Sequence, residues 1–121
     1  MNYLEEEGIV FAEILSPLSL ESTKQFCIEL DAEARKHGAH KYLVDHRGVD
    51  VVMSVLEIDK IPAMLREIEA DFGGRTAILL DSSAPKGNLF HFLKNLLHLA
   101  SMRFELFFDK DEAIAWLKSV K

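Results

Sequence analysis

Only one cysteine, Cys27, occurs in the chain. No internal disulfide can form, and nothing points to an oxidising compartment. An excess of basic residues is also missing: 14 Lys and Arg face 20 Asp and Glu, for a net charge of -6. That balance excludes a general nucleic-acid binder, which needs a basic face. No apolar run is long enough for a bilayer. The greasiest segment, residues 89–102, is interrupted by His91, Lys94, Asn95 and His98, and a span needs about 20 predominantly apolar residues. The start, MNYLEEEGIV, has neither the basic beginning nor the apolar core of a secretory signal, so a cytoplasmic protein is the expectation. Repeats, low-complexity tracts and linkers are absent. So are the P-loop spacing, H-E-x-x-H, G-x-S-x-G and C-x-x-C. The residues therefore assign no catalytic group, no cofactor and no metal.

What is present is a globular composition, 49% hydrophobic and 28% charged over 121 residues. A chain of that length makes one domain, 1–121, and buries about two-thirds of its unfolded surface.

Segment by segment, strands alternate with helices. GIVFAEIL (8–15) is apolar and β-branched, with Asn2-Tyr3-Leu4 pairing back on it as a short edge strand. From Ser19, Leu20, Thr23, Phe26, Cys27, Leu30 and Ala34 recur at helical spacing, and Gly38 is a natural stop. KYLVDHR (41–47) is the next strand. A helix is expected over 58–74, with Pro62 in its first turn, where no backbone donor is needed. The stretch between, 48–57, reads either as a strand-like loop or as an early helical turn. RTAILLD (75–81), a long helix over 85–102, RFELFFD (103–109) and a closing helix from Lys110 complete the chain. Asp109 and Glu112 have the spacing of a capping pair. The order β(β)αβαβαβα implies an α/β fold: a single-layer, mostly parallel sheet of four to five strands with alternating helices.

Parallel strands bring their C-terminal ends to one edge, where ligands bind in such sheets. Asp45, Asp81 and Asp109 end three strands there. Asp109 is accounted for as an N-cap, and Asp81-Ser82-Ser83 as turn chemistry. The distinctive part is the loop after the second main strand, Asp45, His46 and Arg47, expected to be exposed. With Asp81 and Ser82 it forms the candidate interaction or ligand edge. The histidines carry less. His37 and His40 straddle a helix-to-strand turn, and His91, Lys94, Asn95 and His98 form the solvated stripe of the long helix. Cys27, on an apolar stripe, is expected to be a small buried hydrophobe. SSAPKGN, ahead of the long helix, offers backbone donors and Lys86 to an anion.

The long helix is the anomaly. Leu89, Phe90, Phe92, Leu93, Leu96, Leu97, Leu99, Ala100 and Met102 cover most of its circumference, more than one sheet contact needs. Phe90, Leu93 and Leu97 are expected either to wall an apolar cavity or to meet a second copy of the chain in a homodimer.

The element order, the strand leading to Asp45-His46-Arg47-Gly48, the RTAILLD strand and the ending FELFFDKDEAIAWLKS resemble the SpoIIAA-like branch of the STAS superfamily over nearly the whole chain. The most recognisable part is F-x-D-x-x-E-A-x-x-W-L, carried by Phe107, Asp109, Glu112, Ala113, Trp116 and Leu117. In the anti-sigma-factor antagonists of that superfamily, a strand ending D-x-x-G leads to D-S-S-G, whose first serine is phosphorylated by a partner kinase. Asp45 and Gly48 match the first part, and Ser54 falls at the serine's spacing, which makes it the candidate phosphosite. Met53, Val55 and Leu56 depart from the rest of the motif, and that counts against a phospho-switch. The resemblance implies a non-enzymatic regulatory module that binds a protein partner. The alternative is a carrier or sensor of a small apolar or lipid-like molecule, as in relatives of similar layered fold.

Overall fold

In the computed structural model, residues 1–49, 53–68, 74–81, 87–99 and 102–119 are described. The chain runs β1 (Asn2–Leu4), β2 (Ile9–Glu13), α1 (Leu20–His37), β3 (Lys41–Asp45), α2 (Val55–Ile58), α3 (Ile61–Glu67), β4 (Arg75–Leu79), α4 (Gly87–Leu99), β5 (Arg103–Phe107) and α5 (Lys110–Lys118). The five strands stand side by side in chain order. β1 is antiparallel to β2, and β2, β3, β4 and β5 are parallel. The expected α/β fold, with its mostly parallel sheet alternating with helices, is therefore the observed one.

Strand order explains the layers. Each crossover between neighbouring parallel strands turns the same way, so α1, α2, α3 and α4 are delivered to one face. α5 follows the last strand and covers the other. Side-chain alternation sorts the core accordingly. Val10, Tyr42, Thr76 and Phe104 share one cross-strand row, and Ala12, Val44 and Ile78 the next. Apart from the half-buried Thr76, these side chains pack in the larger core with Leu30, Met64, Leu65 and Leu97 from the helices. On the opposite face Ile9, Phe11, Leu43, Ala77 and Leu79 meet Ala113 and Leu117 of α5. Burying one such side chain contributes about 1.5–3 kcal/mol, so both faces help hold the sheet.

The helix ends follow local chemistry. Ser19 caps α1 by accepting from the Ser22 amide at 3.2 Å, and the Ser22 hydroxyl accepts from the Ser19 amide at 2.8 Å. Gly38 closes that helix by donating to the Ala34 and Arg35 carbonyls.

The helix expected over 58–74 differs: α3 closes at Glu67 with Ile68 as its C-cap, and positions 69–73 of the expected helix lie outside the described residues. It also starts earlier, as the short α2 from Val55, and it breaks before α3. Pro62 explains the break, because it has no amide with which to donate to the Ile58 carbonyl. At α5, Asp109 is the N-cap, but it accepts from the Asp111 amide at 3.2 Å rather than forming the expected reciprocal pair with Glu112. Among the described residues, no helix is long and apolar enough to cross a membrane.

Candidate functional site

The loop after β3 is held at both ends. At its start, Asp45 takes Arg47 as a bidentate partner: Nε to Oδ1 at 3.0 Å, Nη2 to Oδ2 at 2.9 Å, with the Arg47 amide donating to Oδ1 as well. Burial pulls the Asp45 carboxyl upward, but the hydrogen bonds and charge of Arg47 outweigh it and hold the group below its ordinary value. The same pairing raises Arg47. Further on, Gly48 adopts a left-handed φ of 77°, open to glycine at little cost. Its amide donates to Asp81 Oδ2 at 2.6 Å. Thus Asp45, Arg47 and Asp81 do meet at the ends of β3 and β4, as a self-satisfied turn. Among the described residues, no three His, Cys, Asp or Glu side chains gather as a metal-binding group. Ser82, together with the anion-binding reading of Ser83 and Lys86, lies outside the described residues.

His46 departs from the expectation of an exposed loop. It is 5% exposed and turned into the molecule, where its ring meets Phe90 of α4 edge-on, 4.8 Å between centroids. The reason is strand alternation carried one residue past β3: Tyr42, Val44 and His46 share a face. The backbone secures this, with the His46 amide donating to the Leu79 carbonyl at 2.9 Å.

His46 reaches an apolar cavity of about 110 Å³ between the helix-rich face of the sheet and helices α1, α3 and α4. Phe90, Leu93 and Leu97 line it, so the three α4 residues singled out from sequence converge on one wall. Thr23, Phe26 and Cys27 contribute from α1, Met53 and Ile58 from the segment around α2, and Thr76 and Ile78 from β4. Cys27 is half-buried, and burial, with Asp31 adding to it, pushes its thiol up to about 12. The Thr23 hydroxyl donates to the Ser19 carbonyl at 2.7 Å. At this wall the Cys27 thiol is held in its protonated form.

The greasy circumference of α4 now has an account. The helix touches β5, α2 and α3 at once, and Phe90, Phe92, Leu93, Leu96 and Leu97 all join the same core. Its polar residues are not merely solvated. Lys94 pairs with Glu105 of β5 at 2.6 Å, and His98 Nε2 lies 2.9 Å from the Phe104 carbonyl. That pairing, working against burial, holds the Glu105 carboxyl below its ordinary value. His37 is likewise engaged, stacked on Tyr3 and 3.1 Å from Glu33.

Ser54 is exposed and caps α2. Its hydroxyl accepts from the Glu57 amide at 3.2 Å, and the Glu57 carboxylate accepts from the Ser54 amide at 3.1 Å. Ser-Val-Leu-Glu is a capping-box sequence, and that signal would have located α2. The cavity left no comparable motif. Its walls come from four helices and the sheet; the apolar excess of α4 marks one of them, and the period-two pattern through His46 another.

Comparison with protein-family models, curated proteins and solved structures found no match to this chain.

Proposed function

We propose that the chain is a binding domain that takes a small apolar ligand in the cavity beneath α4. The cavity itself carries this reading: about 110 Å³ of space walled by Phe, Leu, Ile and Met side chains, in an interior where close packing is the rule. Size limits the occupant. Drug-sized pockets run to about 300–1,000 Å³, whereas an apolar cavity of about 150 Å³ accepts benzene. A compact molecule of about four to six non-hydrogen atoms suits the space; a whole lipid does not. Native mass spectrometry of protein purified from its source should show a small co-purifying mass. Methyl NMR should show benzene shifting Leu93, Leu97 and Ile78 in the wild-type chain but not in Leu97→Trp, which fills the space. Wild-type methyls that ignore benzene would sink the reading.

A second reading, a regulatory protein-interaction module of the SpoIIAA-like type, is favoured by a different observation. Leu15, Leu56 and Phe108 are 86%, 77% and 58% exposed; Leu15 and Phe108 come just after the C-terminal ends of β2 and β5, and Leu56 lies on α2. Large exposed apolar side chains suit a partner or a second copy of the chain. Light scattering tests the homodimer: Leu56→Asp with Phe108→Asp should convert a dimer to a monomer, and a monomeric wild type removes that form of the reading. Phosphorylation of Ser54 has less support. The Glu57 carboxylate lies 3.2 Å from the hydroxyl, so a phosphate would face a like charge and lose the cap.

A further inference from the structure

We propose that the ligand of this cavity carries one hydrogen-bonding group and that His46 receives it. The inference rests on the small-ligand reading above and narrows its chemistry from a bare hydrocarbon to a small ring or chain with a single nitrogen or oxygen.

The argument is one of position. Register aims His46 at the helix-rich face, with Tyr42 and Val44, and its ring stands on the cavity wall against Phe90. Thr76 of β4 also brings a hydroxyl to this wall, but a hydroxyl has a single O–H donor where the imidazole has two ring nitrogens, and the remaining polar wall residues are less suited. Thr23 directs its hydroxyl hydrogen to the Ser19 carbonyl. Arg103 borders the cavity, but pairing places it beside Arg75 on the opposite face of the sheet, where Arg75 lies over the Trp116 ring of α5. Cys27 offers only a weakly hydrogen-bonding thiol. An imidazole has two ring nitrogens, so one can serve a ligand while the other keeps a protein contact. A ligand atom that hydrogen-bonds a ring nitrogen in this apolar wall is favoured over one that does not.

Three rings of nearly one size test this at neutral pH: benzene, which has no hydrogen-bonding atom; pyrrole, a donor; and pyridine, an acceptor. Both nitrogen rings are better hydrated than benzene, so a purely apolar wall ranks benzene first. Dissociation constants from NMR titration of wild-type protein should instead place pyrrole or pyridine about three- to tenfold tighter, the size of one net hydrogen bond. Which of the two wins reports the tautomer of His46. In His46→Phe, benzene binding should persist and the preference should vanish. Benzene binding as tightly as both nitrogen rings in the wild type overturns the role of His46 while leaving the cavity reading intact. If none of the three binds, the cavity reading fails and takes this inference with it. The wild-type comparison decides even if the variant does not fold.

Discussion

The Gly48 amide donates to the Asp81 carboxylate at 2.6 Å, joining the loop after β3 to the end of β4 across 33 positions of sequence. A carboxylate acceptor makes this bond stronger than a neutral one, worth about 1.5–3 kcal/mol when buried. At this half-exposed site, about 1 kcal/mol is expected. Asp81→Ala should lower unfolding stability by that amount in urea. It should also broaden the amide resonances of Arg47 and Gly48, while Asp81→Asn, which keeps an acceptor, should recover part of both. An unchanged Gly48 resonance in Asp81→Ala would show the bond to be unimportant.

The Asp45–Arg47 pair predicts a definite pH dependence. The folded Asp45 carboxyl is held below its ordinary value of 3.8, so the folded state favours its ionised form. Its contribution is complete above the unfolded value and is lost as pH falls through the folded one. The bidentate geometry and the half-exposed arginine suggest about 1 kcal/mol at neutral pH. The stability difference between wild type and Asp45→Asn should therefore be constant from pH 8 to 6 and shrink below about pH 4. A difference that grows on acidification would reverse the assignment.

How far the residues disclosed this molecule depends on the range of the interaction involved. Patterns of two and 3.6, with Gly38 and Asp109 as punctuation, are local, and they placed all five strands and the main helices. Over 48–57 the apolar run leaves a strand-like loop and an early helical turn both open, and the turn is the one observed, as α2, which Ser54 and Glu57 announce. The α4 wall was anticipated from an excess of apolar residues at Phe90, Leu93 and Leu97. The rest of the wall is not legible this way, since Thr23, Met53 and Thr76 come together only after two crossovers bring α1, the segment around α2 and β4 together. His46 is expected to be exposed as part of the Asp45–Arg47 loop at the strand-end edge, yet alternation from Tyr42 directs it inward.

Cys27 should be nearly inert in the folded chain. With the thiol pushed up to about 12, only about one molecule in ten thousand is thiolate at pH 8, against a substantial fraction for an unfolded cysteine near 8.5. Ellman's reagent at pH 8 should react slowly with native protein and within seconds in denaturant. A ligand in the cavity should slow the native reaction further, because Cys27 lies on its wall. Rapid native labelling would contradict this burial.

Two glycines make opposite demands on an added methyl group. At Gly48 a Cβ meets no atom within 4 Å, and only the positive φ resists it. Gly48→Ala should therefore cost about 1 kcal/mol, the penalty of one left-handed residue. At Gly74 a Cβ would overlap the backbone carbonyl of His40, whose oxygen accepts from the Arg75 amide at 3.0 Å where β3 and β4 begin to pair. Backbone cannot swing aside as a side chain can, so Gly74→Ala must part the two strand ends. A cost of about 2–3 kcal/mol is expected, with faster hydrogen exchange at Arg75 and none of it at β5. Denaturation of the two variants side by side checks the order, and equal losses would show that the approach of Gly74 to His40 does not constrain the sheet.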